Sequence, residues 1–145
     1  PEINQVLRLD DPILRIADAA VAANMDETAA RLGEVCEVAE AATPVSFAAL
    51  QDAHRTIVDY EAARVHAAAL ADCLDLLSDG FREALASGAT ITNDAYFAAR
   101  RELNRLSRRL WADIPAGTAI LFPAAPAPAP PAAASAGGCI GLGSL

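Results

Sequence analysis

Between Asn93 and Trp111 the apolar positions Tyr96, Ala99, Leu103, Leu106 and Leu110 return at steps of three and four. That spacing draws one stripe down one side of a helix and leaves the other side to arginines. Asn93 is placed to cap its start, and Pro115 and Gly117 prevent its continuation. A second helix is predicted from Asp10-Asp11-Pro12, where acidic residues precede a proline, to Leu32. Ile13, Ile16, Ala17, Ala20 and Val21 share one of its faces, a break falls near Asn24, and Gly33 is a stop. From Phe47 to Leu77 the apolar positions Leu50, Ile57, Val58, Val65 and Leu74 predict one long helix or two. Ser78 caps a short helix carrying Phe81 and Leu85 and ending at Gly88.

Two stretches read as strands. Glu34–Glu40 (EVCEVAE) is a short stretch after the helix stop at Gly33, and Thr118–Phe122 (TAILF) is an apolar run of the kind found in buried strands. After it the pattern ends. Pro123, Pro126, Pro128, Pro130 and Pro131 lie in a bed of alanine, which favours extended polyproline II, and the stretch 132–145 is small-residue and glycine-rich. The expectation is a mainly α fold with a few short strands over 1–122, followed by a Pro/Ala/Gly-rich loop or tail over 123–145. No internal repeat is present.

Composition narrows the chemistry. The 145 residues suffice for one small domain, and 54% are hydrophobic, but so many are alanine that the core is poor in large side chains. All 11 cationic residues are arginine. Without lysine there is no phosphate-binding Walker loop, no Schiff base and no Ser–Lys catalytic pair. A net charge of −8 argues against non-specific nucleic-acid binding. The local cluster Arg100, Arg101, Arg105, Arg108 and Arg109 reads as a solvated helix face, with acidic partners expected from the rest of the molecule. Cys36, Cys73 and Cys139 are odd in number and lack CxxC spacing, which fits a reduced, cytoplasmic protein. The sequence shows no signal peptide and no apolar run long enough for a bilayer, so no membrane association is expected.

No residue presents itself as a site. His54, Glu61 and His66 match no HExxH spacing, and His66 lies about 120° around the helix from His54. They read as ordinary surface residues, and no metal is expected. Cys139, among Gly137, Gly138 and Gly141, reads as an incidental thiol. The tail glycines do not follow phosphate-loop order, and the Pro-Ala alternation lacks the basic neighbour of an SH3 ligand, so it reads as a spacer.

Five stretches, in order, carry a resemblance. Ala29–Glu40 (AARLGEVCEVAE) supplies a helix, a turn and a strand. His54–Ala62 (HRTIVDYEA) follows, then Leu76–Gly88 (LLSDGFREALASG). Ile91–Arg100 has Tyr96 at a tyrosine position, and Ala119–Pro130 is AILFPAAPAPAP. Together they resemble the later part of an amidase-signature enzyme. Phe122 departs from that pattern, where threonine is usual, and the stretch from Ala136 to Leu145 echoes it only faintly. The resemblance implies a piece of an α/β fold with a mixed sheet flanked by helices, serving a small-molecule amide substrate without a cofactor. It also implies that the lysine, the cis-peptide serine and the nucleophilic serine of the family lie before this segment. None of these roles transfers to a residue here, so no catalytic, cofactor-binding or metal-binding residue is assigned. Periodicity by itself equally permits a stand-alone helical interaction module with a proline-rich tail. An uncovered Ala119–Phe122 run also predicts a chain that is marginally stable or forms homo-oligomers in solution.

Overall fold

A computed structural model describes residues 3–72 and 77–128. Its elements run β1 (Gln5–Asp10), a single 3-10 turn (Leu14–Ile16), α1 (Ala19–Gly33), β2 (Glu37–Ala42), α2 (Phe47–Val65), α3 (Ala67–Asp72), α4 (Asp79–Thr90), α5 (Asn93–Ala112) and β3 (Thr118–Leu121). The fold is mainly helical with a few short strands, as the pattern predicted, and the strands join into a small sheet. It divides into two compact units, one drawn from 1–51 and 108–145, the other from 52–107.

The first unit holds a three-stranded parallel sheet in the order β2-β1-β3. Its central strand is the element that the sequence pattern did not announce. Val6 pairs with Val38 on one side and Ala119 on the other, and Val6 and Leu9 are both buried. Gln5 and Arg8 interrupt the apolar alternation of β1. Arg8 is tolerated because its guanidinium reaches Asp26 of α1 at 2.7 Å.

The helix expected from Asp10 begins later. Asp18 is the true N-cap of α1, its Oδ1 accepting from the Val21 N–H at 2.9 Å. Asp11 is used elsewhere: it is buried and spends its carboxylate on tertiary hydrogen bonds, so the stretch from Leu14 makes only a 3-10 turn. No break occurs at Asn24, and α1 closes at Gly33 as expected. The following strand starts three residues late. The N–H groups of Glu34, Val35 and Cys36 still bond back to Arg31 and Leu32, finishing the helix before β2 can pair.

β3 is entered through a tight turn. Gly117 has φ 79°, the Thr118 N–H donates to the Pro115 carbonyl at 3.3 Å, and the Gly117 carbonyl accepts from the Asn4 N–H at 3.0 Å. A side chain at this φ is strained. Gly117→Ala is therefore expected to lower stability by about 1 kcal/mol, read as a shift in the urea midpoint. An unchanged midpoint would count against the strained geometry. After β3, Pro123 is buried and the Pro126 carbonyl accepts from the Asp18 N–H at 2.8 Å, which ties the start of the proline-rich stretch to the first turn of α1.

The second unit is helical. Ser78 caps α4 as expected, its Oγ accepting from the Phe81 N–H at 3.4 Å. Gly88 is not the stop of that helix, which runs on to Thr90. It is a contact point, buried against the backbone of Asp59 in α2. The cap of α5 is Thr92, one residue before Asn93, with its Oγ1 accepting from the Ala95 N–H at 3.2 Å. The predicted stripe along α5 is the inward one, and Leu106 and Leu110 are buried. The long helical stretch from Phe47 is two helices, with His66 between them. Leu74 and Cys73 lie outside the described residues.

Candidate functional site

Parallel strands present their ligands at their C-terminal ends, and in the first unit that end is organised by Asp11. Its Oδ1 accepts from the Ile13 N–H at 3.0 Å. Its Oδ2 accepts from the Thr43 hydroxyl at 3.0 Å and the Phe47 N–H at 3.1 Å. One carboxylate thus joins the end of β1, the end of β2 and the first residue of α2. The Phe47 ring meets Phe122 beyond β3 at 6.0 Å.

Beside this knot lies an open groove of about 360 Å³, lined among others by Arg8, Asp10, Leu14, Arg15, Met25 and Glu40. Its charges are already paired. Arg15 Nε donates to Asp10 Oδ1 at 2.7 Å, and Arg8 lies 3.9 Å from Glu40. The hydrogen bond from Arg15 holds the Asp10 carboxyl below the usual carboxylate range and raises the guanidinium in return. Among the described residues the lining has no serine, cysteine, lysine or histidine. This described lining can orient a polar group but offers nothing to attack a carbonyl.

A second groove of about 380 Å³ is apolar, lined by Ile3, Val6, Leu32, Val35 and Leu121 with Cys36 at its side. The Cys36 thiol donates to the Leu32 carbonyl at 3.4 Å. Cys139 and the tail glycines lie outside the described residues.

The residues singled out in the second unit are brought into other roles. His66 is exposed, its ring on edge to Phe81 at 5.3 Å, and His54 is half-buried. Glu61 accepts from the Tyr96 hydroxyl at 2.7 Å, which pushes that phenol up. Among the described residues no group of three or more His, Cys, Asp or Glu is placed to hold a metal. What the spacing did not reveal is an aromatic–cation stack. Tyr60 and Tyr96 lie face to face at 4.1 Å, Arg64 covers Tyr60 at 3.2 Å, and Arg100 lies 5.7 Å from Tyr96. The Tyr60 hydroxyl donates to Asn93 Oδ1 at 2.6 Å. Tyr60 with Arg64, and Tyr96 with Arg100, are each four residues apart on a helix, a signal that reads as ordinary surface until both helices are seen together. The stack clasps α2 to α5 and is structural.

Among the described residues the arginines of α5 are not neutralised by distant acids as expected. Arg105 pairs with Glu102 on its own helix at 2.6 Å, and Arg109 faces Asp113 just past the helix end at 3.8 Å. Arg101 and Arg108 make no ion pair among the described residues. No described helix is long and apolar enough to cross a membrane.

Comparison with known proteins gives the class. No family model matches the chain, and neither does any curated protein. Among solved structures the chain is similar to a crystal structure of amidase, with a TM-score of 0.76 and 27% identity over 92% of this chain. The chain spans 32% of that amidase's length. The fold is therefore amidase-like, a partial α/β piece with its parallel strands and flanking helices.

Proposed function

We propose that this chain is a segment of an amidase-signature enzyme, downstream of the catalytic serine–lysine region, and hydrolyses no amide by itself. The likeness to the solved amidase over 92% of the chain carries this reading, and the five ordered sequence stretches support it. Amide hydrolysis by a serine needs a base to take the hydroxyl proton and backbone N–H groups to hold the oxyanion. A family that uses lysine for the first task finds none here. In the whole enzyme the helices of 52–107 would help wall a cleft for a small-molecule amide, and no cofactor would be required. The setting would be cytoplasmic.

The purified chain, incubated with a panel of small amides and with a fluorophosphonate probe for activated serines, is expected to release no ammonia and take up no label. Turnover that survives repurification and is lost on heating would overturn the reading. Coding DNA upstream of the Pro1 codon bears on the other half. A continuous frame with a lysine and a Gly/Ser-rich loop supports an amidase. A start codon beside Pro1 favours the helical interaction module.

A further inference from the structure

We propose that the outward arginine face of α5 docks on the Glu34–Glu40 corner of a second copy of this chain. On α5, Phe97, Arg101 and Asn104 follow one another at steps of four and three, opposite buried Leu106, with Arg100 and Arg105 on either flank. Phe97 is 51% exposed. The helix carries five arginines against Asp94 and Glu102, in a chain whose net charge is −8, so the rest of the molecule is more acidic than the whole.

The complementary surface is at the turn from α1 into β2. Glu34 and Glu37 lie in the seven residues Glu34–Glu40, which contain no arginine, one in the turn and one at the first residue of the edge strand β2. Glu40, three residues further and so on the other face of that strand, already faces Arg8 at 3.9 Å. Glu34 and Glu37 have no ion pair among the described residues. Between them Val35 is 82% exposed, the most exposed of the described large apolar side chains. Each surface thus offers an exposed apolar side chain beside charge of opposite sign, Val35 standing at the rim of the apolar groove that Ile3 and Leu32 also line. A patch of this kind has the anatomy of a small interface, with an apolar centre and a polar rim. Helix α5 against its own copy would set arginine on arginine, which charge forbids, so the partner face must be the acidic one.

Sedimentation velocity of the whole chain tests this at about 0.1 M salt. There the screening length of about 10 Å leaves contact pairs attractive while muting repulsion between two acidic molecules. The chain is expected to self-associate at about 100 μM, in the range of weak contacts. Arg101→Glu and Glu37→Arg should each weaken that association about tenfold or more, and the double variant, with both signs exchanged, should regain it. Both positions are exposed, and far-UV circular dichroism will show whether each variant keeps its helices. A monomeric parent chain would overturn the proposal. So would association that either single reversal leaves unchanged, which would point to the apolar edge of β3, and so would a double variant no tighter than the single ones.

Discussion

Asp11→Ala is expected to cost about 4 kcal/mol and to bring the first unit close to unfolding, because it strands donors that nothing else can reach. The carboxylate accepts from the N–H groups of Ile13 and Phe47 and from the Thr43 hydroxyl. Each bond of this kind to a charged group contributes about 1.5–3 kcal/mol, and an unsatisfied buried donor costs a similar amount. The Phe47 ring is buried, so water cannot easily replace the lost acceptor at its N–H. Against a typical domain stability of about 5–15 kcal/mol, that loss removes much of the margin. Asp11→Asn keeps one acceptor oxygen and should lose roughly half as much. Urea titration followed by circular dichroism measures both, and an alanine variant within about 1 kcal/mol of the parent would show that the knot does not hold the unit together.

Gly88→Ala is expected to cost about 3 kcal/mol, from the opposite cause of too much matter. A Cβ at Gly88 would stand 2.0 Å from the Asp59 carbonyl oxygen and 2.7 Å from its carbon, with the Ala63 Cβ at 3.0 Å. Backbone cannot swing aside as a side chain can, so α4 must retreat from α2, and fully buried Leu85 retreats with it. Gly80 is the control. Nothing lies within 4 Å of a Cβ there. Gly80→Ala should instead raise stability by up to about 1 kcal/mol, because alanine is the better helix former. Similar melting curves for the two variants would refute the close approach.

The legible parts of this fold were those whose signal is local. Ser78 could be recognised as a cap and TAIL as a strand because propensity and punctuation lie within a few residues. The stripe on α5 was clear for the same reason. β1 was not, since a central strand gets its identity from neighbours on both sides, and Arg8 makes sense only once Asp26 faces it. Asp11 looked like a helix cap, because an acid before proline usually is one. Its real partners, Thr43 and Phe47, are 32 and 36 residues away. Gly88 likewise looked like a stop, since a glycine that admits a neighbouring helix has the same spelling as one that ends its own. Of the functional reading, only the missing lysine and the ordered resemblance were visible. The groove beside Asp10 is assembled from four separate stretches and has no motif of its own.

The order of the sheet also sets a timetable for synthesis. Of the three described strands β1 is the first to be made, yet it lies between the other two, and Gln5 and Thr118 are 113 positions apart. At roughly 5–20 residues per second, a ribosome needs about 6–20 s after β1 to deliver β3. β2 arrives within the first third of that wait and can cover one edge. The other edge stays open while all of 52–107 is made, so that helical unit can finish folding while the sheet still lacks its third strand. Closing so long a loop is slow for entropic reasons. The nascent chain is therefore most vulnerable to wrong pairing in the seconds before Thr118 emerges.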